Sequence, residues 1–355
     1  MNNIIVLNSS GKEEWLNLLN KFNNNLGQDI YQSPYYVELY EKKLCSVTEA
    51  FVYNSKNNYF CLAYLKNSIN KSLINDHYDF ETAYGYSGPI STTDDQKFLN
   101  SAWESFKKHC LKNSIIAGLI RFNPLLKNHV FAKHSCIQVD FEKEIVVNTL
   151  NKENKKFWEK YSPNTRNKIR KAIKNQIEIK NNSSNESIII FGKLYRSVME
   201  EKKVEKKYLF TDEYFQKISN NLSGKFNVFL AYKDTEIIGG ALLLFSKNSV
   251  IVHLSATKKS FSKYGAASLL RHEIIEFYSK KGIYQINFGG GLTSKKDDAL
   301  LNFKKGFSQE TEKYYIGKCI INKELYTNLC SKWDNQYKKK NNNFSNYFLK
   351  YNYID

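Results

Sequence analysis

Lys304 and Lys305 stand between Phe303 and Phe307, a few residues beyond three consecutive glycines, Gly289, Gly290 and Gly291, that end the alternating segment YQINF. A lysine held beside such an exit can stabilise charge growing on an acyl carbonyl or a leaving oxygen, and it needs no shifted pKa to do so. The glycines offer backbone with no side chains to block a ligand, and Lys305 offers a second ammonium to the same donor. Asp297 and Asp298 lie between glycines and lysines, and Asp298 is the candidate catalytic carboxylate. Both also suit a helix N-terminus, where an acidic side chain caps the chain. The ordinary alternative for either lysine is a solvated helix face.

Other stretches could grip an anion. In SKYGAA, residues 262–267, Gly265, Ala266 and Ala267 open a helix, and backbone N–H groups with the positive end of a helix dipole suit a pyrophosphate. A glycine followed by two alanines is also a plain way to start a close-packed helix. The segment YSPNTRNKIRKAIKN has Ser162 as a plausible N-cap and Pro163 at the first helical position. Arg166, Arg170 and Lys174 then recur on a side distinct from Ile169, Ala172 and Ile173. Residues 152–180 hold ten Lys or Arg against three Asp or Glu, a local net of +7. An arginine fork suits bidentate phosphate binding, and a solvated basic face is the alternative. Two strand-end loops complete the set: YGYSGP with Tyr84 and Tyr86, and IRFNP with Arg121 and Asn123. They are candidates for acceptor or polyanion contact, although pairing with a structural carboxylate is the commoner fate of a residue like Arg121.

Composition narrows the partners. The 355 residues carry 53 Lys and Arg against 35 Asp and Glu, a net of +18, which concentrates polyanions at the surface. Nucleic acid, nucleotide-linked metabolites and anionic lipid headgroups all qualify, and an Asn- and Lys-rich composition alone would also produce such a surface. The six cysteines and six histidines show no metal-binding spacing; the cysteines read as reduced thiols and the histidines as structural or surface residues. No G-x-S-x-G or Ser-His-Asp ordering supports a hydrolytic nucleophile. The N-terminus lacks the charged start of a signal peptide and no segment reaches membrane-span length, so a cytoplasmic protein without metal is expected.

The elements that must position these residues follow from periodicity. Strands are predicted at AFVYN, NYFCLAYL and KSLIN, then a helix over about 94–112 and a strand SIIAGLIRF. The second half repeats the plan: strands FNVFLAY, EIIGGALLLFS and SVIVHLSA, a helix between Gly265 and Gly282, a strand YQINF, a helix across DDALLNFKKG and a strand KYYIGKCIIN. Between the halves lie the basic helix and two more, ESIIIFGKLYRSVMEE and TDEYFQKISNNL. The predicted class is α+β with domains at 1–160 and 161–330, and a tail, 331–355, whose aromatic end docks back on the body.

The ordered stretches ETAYGYSGPI, IRFNPLLKN, YSPNTRNKIRKA, YGAASLLRHEIIEFYSKKG, INFGGG and NFKKGFS resemble the Fem family of aminoacyltransferases, which build peptidoglycan interpeptide bridges. More widely they resemble the acetyltransferase-fold (GNAT) enzymes. The resemblance implies two tandem GNAT-like domains and transfer of an acyl group to an amine. It puts the lysine of the family's Phe-Lys-x-x-Phe pattern on Lys304, with the transition-state role. Residues 176–225 are too few and too aperiodic for the helical arm of longer Fem members, which implies an armless architecture. Gly265 and Ala267 fit the acetyltransferase turn Gln/Arg-x-x-Gly-x-Gly/Ala, but Ser262 stands where Gln or Arg belongs. The implied co-substrate is aminoacyl-tRNA, or acyl-CoA as in armless relatives of surface-polysaccharide pathways, with no bound cofactor. The implied acceptor is a nucleotide- or lipid-linked envelope precursor, reached with peripheral contact to the inner membrane face.

Overall fold

The computed structural model describes residues 3–42, 45–150, 157–205, 208–295 and 297–354. The chain forms two compact units, residues 1–142 with 314–355 and residues 143–313. These divide it differently from the segments 1–160 and 161–330 read off the sequence. The strands Ile137–Thr149 and Thr311–Ile320 each contribute residues to both units, and a strand carries no break in composition to mark such a crossing.

In the first unit, Ser46–Ser55 and Asn58–Ser68 form a long antiparallel hairpin, flanked by Asn3–Asn8 on one side and Tyr78–Glu81 on the other. The helix Gln96–Lys112, capped by the Asp95 carboxylate on Lys97 N–H at 3.1 Å, then leads to Ile115–Arg121, which lies parallel to Tyr78–Glu81. Phe98, Trp103 and Phe106 recur on one face of that helix and bury against Phe51, Phe60, Tyr64 and Phe80. Spacing of this kind makes an apolar stripe, and its burial removes aromatic surface from water. The segment KSLIN, predicted as a strand, is instead a turn closed by Leu73 N–H on Asn70 O; Leu73 packs under the C-terminal segment with Ile69, Ile116, Trp333 and Tyr351. That segment opens with the helix Lys323–Gln336. Trp333 is wholly buried and donates its indole N–H to Tyr353 O at 2.6 Å.

The second unit repeats the plan. Phe226–Lys233, Glu236–Phe245 and Ser249–Thr257 form an antiparallel meander, Ala266–Lys280 crosses as a helix, and Gln285–Gly290 returns parallel to Ser249–Thr257. Outer pairings come from Ile177–Asn182 on one edge and from the C-terminal half of Ile137–Thr149 on the other; the sequence reading predicts neither strand. Ile137, Val139 and Phe141 do alternate with Gln138 and Asp140, but the partners of this strand are remote in sequence. The helices Asn185–Glu201 and Asp212–Asn221 pack on the sheet: Phe191 meets Phe215 edge to face at 6.0 Å, and a Cβ on Gly240 would touch the Phe191 ring at 3.0 Å. They do not project as an arm. Among the described residues no helix is long and apolar enough to cross a membrane.

Candidate functional site

The parallel pairing in the second unit is short. It runs only from Ser249–Gln285 to Ile251–Asn287. Just beyond, Ser249–Thr257 bulges at His253, where its register against Glu236–Phe245 slips, and Gln285–Gly290 bulges at Phe288 against Ile137–Thr149. A bulge adds a residue to one strand and bends it, so the two strands part beyond Ile251 and Asn287.

Arg271, from the crossing helix, spans this parting. Its Nη2 donates to Ser255 Oγ at 3.1 Å on one strand, and its guanidinium lies 5.6 Å over the Phe288 ring of the other. Arg271 is 4 % exposed, and its Nε and Nη1 have no hydrogen-bond partner. A buried cation with unused donors costs several kcal/mol, and burial pulls the guanidinium down to about 10. Lys304 reaches the same place from the helix Ala299–Lys305 and donates to Gly290 O at 2.6 Å; Lys143 donates to Gly291 O at 3.2 Å. Burial first, then the positive charges of Arg271 and Lys143, push the Lys304 ammonium down to about 7, against the opposing pull of Asp298. Lys304 therefore exchanges its proton near neutral pH, which an ordinary lysine does not do.

Asp298 is the N-cap of the Lys304 helix. It accepts from Leu301 N–H at 2.9 Å and from the Thr293 N–H and hydroxyl at 2.9 and 3.1 Å. Burial alone would raise its pKa, but these donors outweigh it and hold the carboxyl at about 2. A carboxylate so stabilised is a weak base at neutral pH, and its evident service is to fix the helix that carries Lys304.

The three glycines have separate reasons. Gly289 adopts a left-handed φ of 74°. A Cβ on Gly290 would meet Glu144 O at 2.7 Å, and one on Gly291 would meet the Asp298 carboxylate at 2.5 Å. The absent side chains thus let the backbone close on its neighbours. Lys305 turns to Glu144 at 2.9 Å. Gly265 has φ 80° and a Cβ there would strike Lys168 O at 2.3 Å, so it admits the basic helix Pro163–Lys174. Ala266 lies in the core, and Ala267 is half-buried beside it. Ser162 caps the basic helix as its sequence suggests. Arg166, however, folds back on Tyr161 O at 2.6 Å, and Arg170 lies over Trp158 at 5.3 Å. Ser162, Thr165, Lys168, Asn302 and Phe303 line a shallow cleft between this helix and that of Lys304.

The loop residues of the first unit are brought together differently. Arg121 donates to Thr82 O at 2.6 Å and to Glu81 at 2.8 Å, the structural fate open to it. Together with the bridge between Ser87 and Phe122, these bonds lace the two parallel strands shut at the place where the second unit parts. Asn123 is 2 % exposed and holds its own turn and Asp29. Tyr86 stacks edge to face on Tyr31 and Tyr314, while Tyr84 is exposed.

Sequence reasoning missed Arg271, Lys143 and Ser255. For Arg271 a signal existed: it occupies an inward position of the stripe that continues through Ile274, Ile275 and Tyr278, and a charged residue on an apolar face requires a partner or a purpose. His253 lies 2.7 Å from the Tyr214 hydroxyl, and burial pushes its imidazole down to about 3, so it is neutral at pH 7. Among the described residues no cluster of His, Cys, Asp or Glu could hold a metal ion.

Residues 160–305 match the family described as acetyltransferase (GNAT) domain, which makes this chain an acyltransferase. Among solved structures, FemX is similar with a TM-score of 0.65 at 14 % identity, over 89 % of this chain and 97 % of that one. L-PGS from Bacillus licheniformis has a TM-score of 0.56 at 12 % identity, over 86 % and 92 %. A tandem GNAT protein from the clavulanic acid biosynthesis pathway has 0.54 at 7 %, over 91 % and 99 %. At these identities the likeness establishes the fold, two tandem GNAT-like domains. Among curated proteins no sequence matches.

Proposed function

We propose that the second unit transfers an activated aminoacyl group to an amine of a cell-envelope precursor, with aminoacyl-tRNA as donor. The observation that carries this reading is the buried Lys304 ammonium, held on Gly290 O beside the parted strands with Arg271 and Lys143 around it. An acyl ester brings its own leaving group. The neutral amine attacks the carbonyl, a C–N bond forms and the carbonyl oxygen becomes an oxyanion; the C=O bond re-forms as the C–O bond to the ester oxygen of the donor breaks, that ester oxygen takes a proton from Lys304, and Lys304 recovers a proton from the attacking nitrogen. Lys304 supplies positive charge to the oxyanion, and a pKa near neutrality lets it pass a proton to the leaving oxygen. Preorganised charge of this kind is worth several kcal/mol of barrier, and alignment of amine and ester supplies much of the rest. Asp298 acts by fixing the Lys304 helix.

The Fem-like donor is supported by the similarity of fold to FemX over nearly the whole of both chains and by the +18 net charge, which favours a polyanion such as tRNA. A second reading, acyl-CoA-dependent N-acylation of an amino sugar, is favoured by the acetyltransferase match over 160–305. Gly265 does not speak for CoA, because its conformation and the contact with Lys168 already account for it. Incubation with charged tRNAs and murein or amino-sugar nucleotide precursors tests the first reading: an aminoacylated product supports it, and no transfer from any aminoacyl-tRNA overturns it. Calorimetric binding of CoA together with acyl transfer from acyl-CoA would establish the second.

A further inference from the structure

The first unit assembles a second set of reactive groups that the acyl-transfer reading does not use. Glu104, on the helix Gln96–Lys112, lies 2.9 Å from His134 Nε2. His134 Nδ1 lies 2.9 Å from Cys136 Sγ and also accepts the Cys136 N–H at 3.2 Å. With Nδ1 the acceptor, Nε2 carries the hydrogen that Glu104 receives, and Nδ1 is ready to take the thiol proton. The imidazolium formed would sit between Glu104 and a thiolate. The third component is Cys319, on Thr311–Ile320, whose thiol points at Cys136 Sγ across 3.9 Å; Ile320 N–H on Cys136 O at 3.1 Å holds the two chain segments together. The His134 side chain is 5 % exposed, Cys319 is buried and Cys136 half-buried, so a small reagent meets Cys136 first. The hydrogen bond from Cys319, and then that with His134, hold the Cys136 thiol down to about 6 against the effect of burial. Lys107 adds positive charge from the same helix, and buried Cys110 is the third sulfur nearby.

We propose that Cys136 is a hydroperoxide-reactive thiol and Cys319 its resolving partner. The Cys136 thiolate attacks the terminal oxygen of the hydroperoxide; an S–O bond forms, the O–O bond breaks, and the departing alkoxide or hydroxide takes the proton parked on His134. Cys319 then attacks the sulfenic sulfur, an S–S bond forms, the S–O bond breaks, and its thiol proton leaves with the hydroxyl as water. Two thiols and one hydroperoxide thus yield a disulfide, an alcohol or water, and a further water, with sulfur the reductant.

The test uses the full chain and hydrogen peroxide. Peptide mapping after treatment should show a Cys136–Cys319 disulfide, and the Cys319→Ser variant should instead accumulate a dimedone-trappable sulfenic acid at Cys136. Alkylation by iodoacetamide at neutral pH should be faster at Cys136 than at exposed Cys45, and slower by about tenfold in His134→Asn, with the pH midpoint moved upward. Alkylation of unmodified wild type at Cys136 no faster than at Cys45 would overturn the proposal without reliance on any variant. A peroxide-induced disulfide to Cys110 instead of Cys319 would overturn the assignment of the resolving thiol.

Discussion

Replacing Lys304 by methionine removes the ammonium and keeps the length of the side chain, and its consequence for folding can be worked from the structure. The unfolded chain holds this lysine at the ordinary value of 10.5, whereas the folded chain holds it at about 7, because burial and the neighbouring charges of Arg271 and Lys143 disfavour the ammonium. Between those values the unfolded state binds more protons, so the stability of the wild type rises with pH through the window. Each pH unit inside the window is worth about 1.4 kcal/mol, and the whole window roughly 5 kcal/mol. Lys304 is 8 % exposed, so solvent screening removes little of this. Urea unfolding of both proteins between about pH 7.5 and 9.5 should show the wild type gaining about 2–3 kcal/mol on Lys304→Met. Other titrations are common to both proteins and cancel in the difference. Stability curves that stay parallel within about 0.5 kcal/mol over that range, or a wild type that loses ground as pH rises, would refute the reasoning that buried cations crowd around Gly290.

Three further outcomes follow from single contacts. Arg271→Leu exchanges a buried guanidinium with unpartnered Nε and Nη1 for an apolar side chain; the fold should gain about 1–4 kcal/mol in denaturant unfolding while acyl transfer falls, a split that a purely structural arginine would not give. Gly118→Ala would drive a Cβ into the Phe80 ring at 2.1 Å, and overpacking of this kind should cost about 1–3 kcal/mol by the same assay. Asp298→Ala removes the cap on Leu301 N–H and should cost about 0.5–2 kcal/mol at pH 7. Because the Asp298 carboxyl is held at about 2 against an ordinary 3.8, the difference between the two proteins should shrink as pH falls through that interval, which acid titration of unfolding would show.

Much of this protein is legible in local pattern. The meander, crossing helix and returning strand of residues 226–290 follow from alternation and from a helical stripe bounded by Gly265 and Gly282, since side-chain direction depends on neighbours two to four residues away. The Ser162 and Asp298 caps are equally local, as each reaches only three residues forward. The place of Lys304 beside a glycine exit is visible in its spacing. What the spacing leaves open is everything that depends on partners remote in the chain. The parting of the strands rests on where pairing stops, at Ile251 and Asn287, and on slips at His253 and Phe288. The reason Gly290 is glycine is Glu144, and the reason Gly265 is glycine is Lys168. Arg121 closes the first unit because Glu81 and Thr82 meet it. The near-neutral proton affinity of Lys304 is set by burial and by Arg271 and Lys143, both from segments remote in the chain, against the opposing pull of Asp298 at the cap of its own helix. Hydrophobic period encodes which face a residue takes; packing alone decides which charges share that face and how much water remains to screen them.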